Sequence, residues 1–214
     1  MENTRLCIVR HGQTENNAKH IMQGHLDSPL NEIGRNQARL LGARLKKNDC
    51  FDVIIASDLQ RAWDTAKILQ KFLDIPLVAD PRWREICLGS WQGQSWEMLT
   101  DKDCNTRQFY LRSWYDYKEH GGESWRDIGK RIHSVLLDVL CQYAGQSVLV
   151  VTHGGIARIA IIEALNLVPQ YYPMIFSNTS ISELIYSEKC WWIKRLNDAA
   201  HLEGINNEIA PAAI

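Results

Sequence analysis

Short apolar runs alternate with amphipathic stretches along this chain. Leu6-Cys7-Ile8-Val9 reads as a buried strand, followed by a polar, glycine-containing loop over residues 10 to about 30. Asn31 fits the N-cap of a helix running to about residue 47, with Gly34, Ala38, Leu41 and Leu45 on one face. Val53-Ile54-Ile55 centres a second strand over residues 52–56, after which Ser57 and Asp58 are expected to cap a helix that ends near Leu73, ahead of Pro76. Trp125, Ile128, Ile132, Val135, Leu136, Val139, Leu140 and Tyr143 give the clearest helical period. Val148-Leu149-Val150-Val151 is a third buried strand, leading into a helix over residues 155–165. Two more strands are expected at 181–186 and 191–196.

Strand and helix alternate in units of about 40 residues, which argues for an α/β, three-layer sandwich with a mostly parallel central sheet flanked by helices. The strands lack polar alternation, as expected of a sheet covered on both faces. Residues 1–203 are expected to form one domain carrying a helical cap insertion at about 86–124, with 204–214 a frayed tail.

Composition narrows the function. Lys plus Arg total 24 against 25 Asp plus Glu, for a net charge of −1, and no run of five like charges occurs. That leaves no electrostatic footprint for nucleic acid or a membrane surface. Six cysteines, each at least 17 residues from the next, form no zinc pattern; Cys7 on a strand and Cys141 on a helix are expected to act as small hydrophobes. Arg158 and Glu163 interrupt the best apolar stretch, and the first residues do not resemble a signal peptide. The reading is a soluble, cytoplasmic, reduced protein.

Three strand ends carry unusual polar residues: Arg10-His11-Gly12, Ser57-Asp58-Leu59-Gln60-Arg61 and Thr152-His153-Gly154-Gly155. Ligands of open α/β sheets bind beyond the carboxyl ends of strands. If these strands are neighbours, two imidazoles and two guanidiniums meet in one crevice, an assembly that calls for an anion. A guanidinium matches phosphate oxygens in a bidentate way, and a neutral imidazole has a lone pair able to attack phosphorus. Arg10 and Arg61 would keep that imidazole neutral. The glycines are expected to let backbone N–H groups face the ligand, and Gly154-Gly155 to open a helix whose N-terminus favours negative charge.

These blocks, with Gln13-Thr14, Gln23-Gly24 and Arg84-Glu85-Ile86, resemble the histidine phosphatase superfamily in its phosphoglycerate-mutase-like branch, from about residue 5 to about residue 200. Arg-His-Gly alone is a weak signal; four blocks in the family's order are a strong one. The resemblance implies that His11 is the nucleophile, that Arg10, Arg61 and His153 bind the phosphate and stabilise the transition state, and that Asn17, Gln23 and Gly24 assist from the loop. It implies Glu85 as the acid that protonates the leaving oxygen and then the base that activates water. It implies no metal and no cofactor, since guanidiniums supply the positive charge. Gln13 and Gln92 stand where many relatives have Glu, and Cys87-Leu88 where an aromatic is common, which leaves the substrate side open.

The expected activity is hydrolysis of a small phosphorylated metabolite through a phosphohistidine. Alternatives are phosphoglycerate-mutase-type transfer and a non-catalytic phosphate-binding module. Partners expected are that metabolite and at most a second copy of the chain as a homodimer. His20, His25, His120, His133 and His201 read as surface or packing residues, and Gly121-Gly122-Glu123-Ser124 as a loop ending in a helix N-cap. Five of eight tryptophans fall between Trp83 and Trp125, either as core or as a cap over the crevice.

Overall fold

A computed structural model describes residues 3–95, 115–168 and 174–204. It contains strands β1 (Thr4–Arg10), β2 (Val53–Ala56), β3 (Leu77–Ala79), β4 (Ser147–Thr152), β5 (Ile181–Ser187) and β6 (Cys190–Asp198). The helices are α1 (Glu15–Ala18), α2 (Glu32–Asn48), α3 (Gln60–Leu73), α4 (Trp125–Gln142) and α5 (Gly154–Ala164). The strands form one sheet in the order β3-β2-β4-β1-β5-β6. The first four are parallel, while β5 and β6 run antiparallel at one edge.

Alternate residues of the central strands feed two cores. Leu6, Ile8, Val53, Ile55, Val148 and Val150 pack with Ile128, Ile132 and Val135 of α4 and Ile156 and Ile159 of α5. Cys7, Val9, Ile54, Ala56, Leu149 and Val151 pack with Leu41 and Leu45 of α2 and Ala62, Ala66 and Leu69 of α3. Each fully buried aliphatic side chain contributes roughly 1.5–3 kcal/mol, which is why β2 and the centres of β1 and β4 are unbroken apolar runs. The result is the expected three-layer sandwich.

Asn31 caps α2, accepting from the Gly34 N–H at 2.8 Å, and Ser124 opens α4 in a reciprocal capping box with Asp127. The start of α3 differs from expectation. Its N-cap is Leu59, without a side-chain cap of its own; the Gln60 N–H donates instead to Asp27 (3.0 Å), because Ser57 is held by His153 and Asp58 by Arg84. The short edge strand β3 was not foreseen from the sequence. Cys141 is exposed rather than packed, whereas Cys7 is fully buried, its thiol pushed up to about 12 chiefly by burial.

Of the expected cap, residues 96–114 lie outside the described residues, as does the tail beyond 204. From the described part of that stretch Trp91 and Tyr117 join the α4–α5 core, as do Trp83 and Trp125 on either side of it, and the His120 ring stands edge-on to Trp91 and Tyr117. Among the described residues no helix is long and apolar enough to cross a membrane.

Candidate active site

The sheet order places β4 between β1 and β2, so the three polar strand ends are neighbours. Arg10 pairs with Thr152 and Ala56 with Val151, and the ladders continue as His11 N–H donates to Thr152 O (2.8 Å) and Ser57 N–H to Val151 O (3.0 Å). His11, Ser57 and His153 therefore emerge level at one edge. The His11 and His153 rings meet edge to face with centroids 5.2 Å apart, and both are buried.

One nitrogen of His11 is committed. Its Nδ1 lies 2.6 Å from the Gly12 carbonyl oxygen; the carbonyl only accepts, so Nδ1 carries the hydrogen and a neutral ring keeps its lone pair on Nε2. Gly12 is where β1 meets the start of α2: a Cβ there would stand 2.5 Å from the Gly34 carbonyl oxygen, so no larger residue fits. Contrary to expectation, the Gly12 N–H points away from the ligand and donates to Thr65 Oγ1 at 3.0 Å. Burial, then Arg61 and Arg10, hold His11 well below the ordinary imidazole value. Burial and then Arg61 do the same to His153, whose Nε2 lies 2.8 Å from Ser57 Oγ and whose Nδ1 is buried without a partner.

Both arginines are buried and bonded to main-chain carbonyls. Arg10 Nη1 donates to Phe176 O at 2.5 Å. Arg61 donates from Nη1 to Leu26 O (2.9 Å) and from Nη2 to Gly24 O (2.7 Å). Each Nε is buried without a partner. Burial lowers both guanidiniums to about 10, opposed by the charge of Glu85, so both stay cationic at neutral pH. Among the described residues neither forms an ion pair. Two buried cations answered only by carbonyls are costly until an anion joins them.

The loop after β1 completes the cleft. Thr14 caps α1, and its hydroxyl lies 3.1 Å from Asn17 Oδ1 and 3.0 Å from Gln23 Oε1. Asn17 Oδ1 also accepts from the Thr14 N–H at 3.2 Å, and both Asn17 and Gln23 line the cleft. Gly24 adopts φ +52°, and a Cβ on it would run into the Gln92 side chain. Glu85 follows a 3₁₀ turn at Pro81–Trp83, which is tied to β4 because Thr152 Oγ1 donates to Trp83 O at 2.7 Å. Its carboxylate accepts from Ile86 N–H (3.0 Å) and from Gly155 N–H in the first turn of α5 (3.3 Å).

The cleft is small, about 50 Å³, and is lined by Arg10, His11, Asn17, Gln23, Gly24, Arg61, Glu85 and Gly155, with Ile21, Met22, Ile86 and Leu88 as its apolar wall. His153 does not line it and stands behind His11. Seven of the eight residues singled out from the sequence thus line the cleft, while His153, expected to bind the phosphate, reaches only the His11 ring. Sequence reasoning missed His25, whose Nε2 lies 2.7 Å from the Glu85 carbonyl, and the Ser57 hydroxyl beneath His153. The two glutamines in place of Glu are engaged as neutral groups: Gln92 Oε1 accepts from His25 and Leu88 N–H, and Gln13 Oε1 from Asn31.

A stability signature follows from the buried imidazoles. In the unfolded chain they titrate near 6.5; in the folded chain they stay neutral well below that. As pH falls from about 7 to about 5 the unfolded state takes up protons that the folded state does not, so stability drops by up to roughly 1.4 kcal/mol per pH unit for each. Above pH 7 both states are neutral and the effect vanishes. Urea unfolding at a series of pH values checks this; a flat profile from pH 7 to 5 contradicts it.

Fold and site together define an α/β protein built to hold a phosphoryl-type anion against a histidine. The chain belongs to the histidine phosphatase superfamily (branch 1), which it matches over residues 6–199. A probable phosphoglycerate mutase of Yersinia pestis is 34% identical over 206 residues, covering 93% of this chain and 95% of its own. The mycobacterial glucosyl-3-phosphoglycerate phosphatase complexed with VO3 superposes with a TM-score of 0.82 at 30% identity, over 91% of this chain and 99% of that one. A variant phosphoserine phosphatase of Entamoeba histolytica in complex with phosphoserine gives a TM-score of 0.82 at 29% identity, over 93% and 99%. The chain is accordingly an enzyme of phosphatase type.

Proposed function

We propose that the chain hydrolyses a small phosphomonoester through a phosphohistidine on His11, without a metal. The observation carrying this reading is His11 itself: Nδ1 fixed to Gly12, Nε2 free, and two buried guanidiniums beside it. A phosphoryl group seated on Arg10, Arg61, Asn17 and Gln23 presents phosphorus to Nε2. As the N–P bond forms, the P–O bond to the leaving group breaks, and its oxygen takes the proton of Glu85. The guanidiniums stabilise charge on the three peripheral oxygens, supplying what a metal supplies elsewhere. Glu85, now a carboxylate, removes a proton from water, which attacks phosphorus; the N–P bond breaks and inorganic phosphate leaves. His153 packs edge to face on His11 and, held by Ser57, fixes the plane of the attacking ring.

The curated relative named as a phosphoglycerate mutase supports a second reading, transfer between phosphoglycerate positions. One experiment separates them. Purified protein given p-nitrophenyl phosphate, phosphoserine or 3-phosphoglycerate without bisphosphoglycerate is expected to release inorganic phosphate continuously. No phosphate released under these conditions, with phosphoglycerate isomerised once bisphosphoglycerate is added, would establish the mutase instead.

A further inference from the structure

The segment 84–88 carries Glu85, and side chains from several elements hold it. Arg131 donates to the carbonyls of Arg82 (2.6 Å) and Arg84 (2.9 Å), and the Arg84 guanidinium pairs with Asp58 at 2.5 and 2.6 Å. Cys87 N–H donates to Glu123 at 3.0 Å. These contacts tie the segment to α4 and to the end of β2. His25 bonds this segment directly to the loop that grips Arg61; just beyond the segment, Met22 of the same loop exchanges backbone hydrogen bonds with Gly93 and Gln94, at 2.8 Å each.

His25 is fastened to that segment once directly and once through Gln92. Its Nε2 donates to Glu85 O at 2.7 Å, and its backbone N–H donates to Gln92 Oε1 at 2.8 Å, the same oxygen that takes Leu88 N–H. Its two chain neighbours face the other way, Gly24 and Leu26 offering their carbonyls to Arg61. One residue therefore couples the guanidinium at the phosphate end of the cleft to the backbone that bears the carboxyl group.

We infer that His25 is a positioning residue for proton delivery: its ring fixes the Glu85 backbone relative to the Arg61 loop, and so sets the reach from the Glu85 carboxyl to the leaving oxygen of a seated phosphoryl group. This rests on Glu85 being the acid, as proposed above. Proton transfer is sensitive to misplacement on the scale of an ångström, and it matters most for leaving groups that depart poorly as anions. A residue that merely held the loop would affect all substrates alike.

The test compares p-nitrophenyl phosphate with phenyl phosphate and glycerol phosphate, which need increasing help from an acid. Wild-type protein, His25→Ala, His25→Gln, Glu85→Gln and the double variant His25→Ala/Glu85→Gln are assayed, with inhibition by orthovanadate reporting the phosphate end. In His25→Ala the ratio of kcat on phenyl phosphate to kcat on p-nitrophenyl phosphate is expected to fall about tenfold, with vanadate inhibition kept within about twofold. His25→Gln, which retains an N–H donor, restores most of the ratio, and the double variant discriminates no more than Glu85→Gln. Equal losses on all substrates with weakened vanadate inhibition, an unchanged ratio, or additive effects in the double variant each overturn the proposal. If Glu85→Gln itself fails to discriminate leaving groups, Glu85 is not the acid and both readings fall; if it discriminates and His25→Ala does not, only His25 is dismissed.

Discussion

Replacing His11 with alanine is expected to lower kcat on p-nitrophenyl phosphate by about 10⁴-fold or more. Alanine offers no lone pair to phosphorus, and no other imidazole can take over: His153 lies behind His11, fully buried and bonded to Ser57. The substitution also leaves the Gly12 carbonyl without its 2.6 Å donor, a loss of about 1–3 kcal/mol that a chain of this size tolerates. The variant should remain folded by circular dichroism and still be stabilised by phosphate, since Arg10 and Arg61 are untouched. Acid-labile, base-stable phosphate should be trapped on wild-type protein during turnover and be missing from the variant. Activity within tenfold of wild type would remove His11 from the chemistry.

Arg61→Ala is expected to reduce kcat/KM by about 10³-fold, because one of the two cations facing the transferred phosphoryl group is lost. Lysine at this position should recover little. The two Arg61 Nη atoms reach Gly24 and Leu26 in a planar fork while Nε remains unbonded, a geometry that an ammonium cannot copy. The stability consequence has a distinctive sign. Saturating phosphate at about 100 times its Kd adds about 2.7 kcal/mol to the wild-type protein and far less to the variant. The gap between their melting temperatures should therefore widen when phosphate is added. A gap that stays constant would mean that the guanidinium serves the loop and not the anion.

His11, Arg10 and His153 were legible in the sequence because each sits at the end of a strand whose two faces are buried, whereas Arg61, in the first turn of α3, was legible only as part of the polar block that follows β2. Burial on both sides forces unbroken apolar runs, and a polar residue that ends such a run stands out. β3 gave no such signal: its three residues are half-buried or exposed at the sheet edge, so nothing forces an apolar pattern on Leu77–Ala79. The start of α3 was misread for a different reason. Ser57 and Asp58 have the chemistry and spacing of caps, but tertiary partners claim them, His153 for one and Arg84 for the other, and the cap comes from Asp27. His25 carries no local mark at all, since its partner lies 60 positions away in the chain. The tryptophans resolve in part: Trp83, Trp91 and Trp125 are core, as volume alone would suggest for so many large rings near one helix.

The pairing of β1 with β4 joins Arg5 to Ser147 and Arg10 to Thr152, so the two imidazoles face each other only after a loop of about 140 residues has closed. Contacts of such long range form slowly and late, and the intervening α2, β2 and α3 must already be arranged for β4 to slot between its neighbours. Affinity for phosphate is in that sense a property of the completed chain alone. During refolding, catalytic recovery should trail the return of helical signal, and a nascent chain released before β4 emerges would hold helices yet have nowhere to seat its ligand.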